Sequence, residues 1–211
     1  MERKTEEIVI GLILVRYLIL FRDITTWLFK TYGGDSGRAV LAWFFFGLPL
    51  IVIPVYTDGA NRLGWRRERS LVHFATGFIG GAVMSITLNI SSLRLDIVHD
   101  VPYGFILQLL IFSFFVAALQ EETLFRGYVQ PRLEEKYGRL RGLLLTSILF
   151  GLAHIGFLTI WGSLLAVILG IVMGYLRDRT GTLLAPWGFH GTLNFMGHMF
   201  ILLYGGVYTI I

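Results

Sequence analysis

Five stretches of this chain carry no charge: no Asp, Glu, Lys or Arg occurs in 39–57, 70–93, 101–120, 142–176 or 180–211. Together they cover well over half of the 211 residues. Charged residues make up 15% of the whole, against about 25% in soluble domains. The remaining charges are too few to clothe so much apolar surface in water. A helix crosses the hydrocarbon core with about 20 mostly apolar residues, and these windows supply that length. The sequence predicts an all-α fold, a polytopic transmembrane helical bundle.

Several function classes fall away at once. The chain has no cysteine, which excludes disulfide scaffolds, thiolate zinc sites, iron–sulfur clusters and cysteine nucleophiles. Its net charge of +4 is better explained by basic cytoplasmic loops than by nucleic-acid binding, and no nucleic-acid partner is expected. No phosphate-binding glycine loop or dinucleotide fingerprint is present. The opening Met1-Glu2-Arg3-Lys4-Thr5-Glu6-Glu7 is too acidic for a cleaved signal peptide.

Seven apolar segments are drawn at 8–21, 39–56, 71–90, 103–125, 143–157, 160–176 and 183–205. The first is the weakest, because Arg16 interrupts it and Arg22-Asp23 closes it; an amphipathic helix in the interface is the alternative there. With seven spans and a cytoplasmic N-terminus, twelve basic residues fall on the cytoplasmic side and four on the other. The positive-inside rule favours that orientation. Residues 1–100 are read as about three N-terminal membrane helices and 101–211 as a membrane core that carries the polar residues taken up next.

Ionisable groups in apolar surroundings are expensive and mark function by default. Three places qualify: Gln120-Glu121-Glu122-Thr123-Leu124-Phe125-Arg126, Phe150-Gly151-Leu152-Ala153-His154, and His190-Gly191-Thr192-Leu193-Asn194. Glu122 and Arg126 stand four apart, on one helical face, and can pair. Glu121 points well away from Arg126 and is left as a proton acceptor. The one good turn between the fourth and fifth segments is Tyr137-Gly138. The acid pair precedes Gly138 by about 17 residues and His154 follows it by 16, so an antiparallel pair of helices puts them at equal height. Pro131 is the one residue placed to bend the fourth helix and upset that count. His190, Asn194 and His198 share a face of the last segment.

In order along the chain, these residues form E-E-x-x-x-R (Glu121, Glu122, Arg126), F-x-x-x-H (Phe150, His154) and H-x-x-x-N (His190, Asn194). The pattern resembles the three signature motifs of the CPBP family, the CAAX-protease and bacteriocin-processing intramembrane endopeptidases. The resemblance covers roughly 101–198. It implies a bundle of about eight spans and hydrolysis of peptide bonds near the cytoplasmic side. It also implies that Glu121 activates a water, that His154 helps to hold it, and that His190 and Asn194 donate to the oxyanion. Glu122 and Arg126 would fix the local charge. No cofactor is favoured, although Glu121, His154 and His190 are donors that zinc accepts. The expected partners are a peptide or lipidated-peptide substrate and membrane lipids, in an integral multi-pass membrane protein.

Two other classes compete. A non-proteolytic membrane scaffold or toxin-immunity protein of the same fold need not keep all six polar motif residues. A proton-coupled carrier would use Glu, His and Arg as a relay, but internal repeat symmetry is not visible.

Overall fold

A computed structural model describes residues 2–32, 44–90, 101–156 and 158–204, with the side chains of 5–21 described in the first helix. The described residues are mostly helical and contain no strand beyond a single bridge between Ile155 and Leu158. The first five residues of the second predicted segment, residue 157 and the C-terminal 205–211 lie outside them.

In chain order the helices are α1 (Glu2–Tyr32), α2 (Pro49–Asp58), the short α3 (Ala60–Leu63), α4 (Ser70–Asn89), α5 (Tyr103–Tyr137), α6 (Arg139–Leu152), α7 (Ile160–Thr180) and α8 (Leu184–Tyr204). Three of them, α4, α5 and α7, are long and apolar enough to cross a membrane. The protein is an all-α membrane bundle.

Helix α1 does not stop where its charges suggested. It runs for 31 residues and buries one face through Leu14, Val15, Leu18 and Phe21, while Arg16 points outward. A single charge costs little when its long side chain can reach away from the apolar contact.

Small residues set the closest helix contact. Along α4 only Gly77, Gly81 and Ser85 are buried, one per turn. A Cβ at Gly77 would strike the backbone of Ala185, and one at Gly81 the backbone of Phe189. Register therefore runs in the same direction along both helices, and α4 lies parallel to α8 with the backbones nearly touching. Without a hydrophobic drive between helices in lipid, such close backbone approach is what holds them.

The long α5 is not a uniform helix. Two segments, Phe112–Ala118 and Thr123–Val129, open into π-type turns, and one ordinary α turn, Leu119–Glu122, sits between them. Turns of this kind occur frequently at functional sites. Pro131 falls in the first turn of the regular helix that follows, where its missing N–H is tolerated, and α5 continues to Tyr137. Gly138, at φ 87°, then reverses the chain into α6. Only glycine adopts that angle without strain.

Helices α5, α6 and α7 are stitched together at the Gly138 end. Gln130 Nε2 donates to Glu134, to the Gly174 carbonyl and to Asp178, and Asp178 accepts from Arg139 at 2.8 Å and Arg177 at 3.2 Å. On the other side of α5, Arg132 bridges Asp58 of α2 at 2.8 Å and Glu7 of α1 at 3.4 Å.

Candidate active site

The α turn between the two widened segments carries Gln120, Glu121 and Glu122, all buried. Glu122 and Arg126 are both 0% exposed and pair along the helix at 3.2 Å. The same carboxylate oxygen, Oε1, lies 2.7 Å from His190 Nδ1 on α8. A carboxylate only accepts, so His190 donates its Nδ1–H to Glu122. Arg126 is held further by the Gly170 carbonyl of α7 at 3.4 Å and by the face of Phe150, 4.2 Å below its guanidinium carbon.

Glu121 faces the other way, toward His154, with 3.9 Å between its Oε2 and the imidazole Nε2. His154 lies just past the end of α6 rather than within it, because that helix stops at Leu152. Its Nδ1 is 2.7 Å from the Phe150 carbonyl. A carbonyl also only accepts, so Nδ1 bears a proton there and Nε2 is the ring nitrogen turned toward Glu121.

Phe150 is the hub between the two pairs. Its ring lies 4.6 Å from the His154 ring, 5.8 Å from His190 and 5.1 Å from Phe125, centroid to centroid. The sequence marked Phe150 as part of a pattern without giving it work; here it separates the imidazoles and caps the arginine. Asn194 sits one turn beyond His190 on α8, half-buried, and its carbonyl accepts from His198 Nδ1 at 2.6 Å. The structure thus joins Glu121 with His154 and Glu122 with Arg126 and His190, and leaves Asn194 one turn along α8 from His190.

The zinc set considered from sequence is divided by this arrangement, since His190 is tied to Glu122 while His154 faces Glu121. Among the described residues no three His, Asp or Glu side chains converge as metal ligands.

Residues 103–196, which hold all six polar motif residues, match the family described as type II CAAX prenyl endopeptidase Rce1-like. Over that segment, just under half of the chain, the sequence is similar to the Rce1-like family. The chain is accordingly a membrane protein of the intramembrane protease class, a hydrolase that acts on peptide substrates. No curated protein and no solved structure shows significant similarity to the chain.

Proposed function

We propose that this Rce1-like protein is an endopeptidase that hydrolyses peptide bonds within the membrane, near its cytoplasmic face, by a carboxylate-activated water. The observation that carries the reading is the 3.9 Å gap between Glu121 and His154. One water spans two acceptors at that separation with ordinary hydrogen bonds of about 2.8 Å. Its two protons go to Glu121 Oε2 and His154 Nε2, which leaves an oxygen lone pair free to attack.

The other roles follow from the contacts of Glu122. Its Oε1 accepts from both Arg126 and His190, so this carboxylate orients the arginine and the imidazole together. His190 then donates Nδ1–H to Glu122 and Nε2–H to the tetrahedral oxyanion, with the Asn194 amide as the second donor. When water attacks the carbonyl carbon, Glu121 takes its proton and the new negative charge appears on the oxyanion. The neutral Glu121 acid later protonates the departing amine nitrogen as the C–N bond breaks. Donors already in place where charge develops supply much of the rate in acyl transfer. Direct activation by Glu121 needs no metal. The substrate is a peptide that reaches the membrane interior, lipidated or not. Residues 101–211 form the catalytic core and 1–100 the accompanying membrane helices.

Orientation rests on where the charges meet. Glu7, near the N-terminus, pairs with Arg132 at the end of α5 that also holds Arg139 and Arg177. That basic end is the cytoplasmic one by the positive-inside rule, so the multi-pass chain starts in the cytoplasm. Arg126 lies six residues from Arg132, about 9 Å deeper along the helix. A Gly138→Cys variant in intact cells or oriented vesicles should react with an impermeant thiol reagent from the cytoplasmic side; labelling from outside reverses the orientation.

The activity test uses purified protein in detergent against a pool of lipidated and unlipidated peptides. Cleavage is expected, unaffected by strong chelators, and reduced roughly 10²–10⁴-fold by Glu121→Gln, which removes the base. Loss on chelation with recovery on adding zinc would make Glu121 a ligand instead. A wild type that cleaves no peptide in the pool would refute the catalytic reading.

A further inference from the structure

Two tryptophans bracket the acid turn from outside the motifs. Trp65, between α3 and α4, donates its indole N–H to the Thr123 hydroxyl at 3.2 Å, and that hydroxyl donates to the Leu119 carbonyl at 2.6 Å. Trp187 on α8 donates its indole N–H to the Phe114 carbonyl at 2.7 Å. The two indoles meet edge to face, with centroids 5.8 Å apart.

Their targets are not scattered along α5. Phe114 lies in the first widened segment and its carbonyl already accepts the Leu119 N–H; Thr123 opens the second, and its backbone N–H already reaches Leu119. Each tryptophan therefore supplies or orients an extra hydrogen bond at the edge of the short turn Leu119–Glu122. Widened turns hold poorer hydrogen-bond geometry than regular helix, so their register depends on outside support. Further anchors hold the tryptophans in place. The Gly64 carbonyl accepts from Leu183 N at 2.9 Å, which ties the Trp65 loop to the chain just before α8. Phe74 of α4 packs on Trp187 at 5.2 Å.

We propose that Trp65 and Trp187 are positioning residues of the proteolytic reaction, fixing the height and rotation of the Glu121–Glu122 turn through its two widened flanks. The inference rests on the protease reading. It also gives the helices before residue 103 a part in the chemistry, because Trp65 acts on Thr123, the neighbour of Glu122. Neither indole needs to touch substrate.

The test removes the N–H and keeps an aromatic ring in its place. Trp65→Phe should lower kcat by about ten- to a hundredfold, the usual effect of a small misplacement, and leave KM unchanged. Thr123→Val should match it, Thr123→Ser should restore wild-type kcat, and the double variant Trp65→Phe/Thr123→Val should be no worse than the poorer single one. Wild-type kcat in Trp65→Phe, a rise in KM in place of the fall in kcat, or losses that multiply in the double variant would each overturn the proposal. Should Trp65→Phe fail to fold, the Thr123→Val and Thr123→Ser pair decides it alone. A wild type without activity sinks the protease reading instead. In that event ¹⁹F NMR of fluorotryptophan-labelled protein still tests the coupling: Thr123→Val must shift the Trp65 resonance, and an unmoved resonance refutes it.

Discussion

Two ionic clusters lie on α5, about two turns apart, and they differ in almost everything except composition. The interior one joins Glu122, Arg126 and His190, with Glu122 and Arg126 out of contact with solvent. The rim one joins Glu134, Asp178, Arg177 and Arg139, and the Arg139 side chain is 67% exposed. At the rim, the contact with Asp178 raises the affinity of Arg139 for a proton it would hold anyway. The Arg139–Asp178 pair is open to water on the arginine side and contributes little, because water and salt screen it. They tie three helix ends together without demanding any single geometry. The interior cluster has no such latitude. Removing one partner leaves a charge stranded in low dielectric, so every member constrains the others. A cluster that costly, set beside a carboxylate and an imidazole separated by the width of a water, is what a hydrolytic site in a membrane requires.

The contrast can be broken by substitution. The largest effect on rate among the donors is expected from Asn194→Ala, which removes one oxyanion contact and should lower kcat roughly 10²–10³-fold with little change in melting temperature. An unchanged kcat would remove Asn194 from the site. Glu122→Gln acts on the interior cluster itself. It strips Arg126 of its counter-charge and should destabilise the protein by about 3–5 kcal/mol as well as lowering the rate. Thermal unfolding in detergent reads this directly, and a wild-type melting temperature would show that the interior pair is not under the stated constraint. The smallest effect belongs to the rim: Arg139→Gln should barely move the melting temperature and leave cleavage intact. A larger loss there would erase the distinction.

How much of this was legible in the sequence follows from which relations are local. Glu122 and Arg126 pair as their spacing of four requires, since helix geometry alone decides it. Glu121 meets His154 because both lie at equal distance from Gly138, and a turn plus two antiparallel rods leaves no other register. Long-range partners were not legible. Nothing in the spacing says that His190 closes on Glu122 rather than Glu121, since the tilt of α8 against α5 depends on the glycine contacts with α4. Helix ends also escaped. Charges were taken to close the first apolar segment at Arg22, yet helix continues to Tyr32, whereas the fourth helix does end at the Tyr137-Gly138 turn that the sequence marked. Hydropathy reports where lipid ends, and a helix can run on into water. His154 went the other way: an apolar run was extended through it, while the helix stops at Leu152 and the imidazole sits in the turn that follows. The two widened segments left no mark in the periodicity, because their support comes from Trp65 and Trp187 on other elements.

The account stands on two adjacent glutamates having opposite jobs, and a side-by-side measurement of Glu121→Gln and Glu122→Gln tests that most directly. Peptide cleavage and thermal unfolding are recorded for both in the same detergent. Glu121→Gln is expected to lose cleavage by roughly 10²–10⁴-fold while melting with the wild type, because it removes the base and leaves the contacts of Glu122 with Arg126 and His190 in place. Glu122→Gln is expected to lose stability along with rate. If the two variants behave alike, or if Glu121→Gln cleaves at the wild-type rate, the division between a reacting carboxylate and a structural one is wrong.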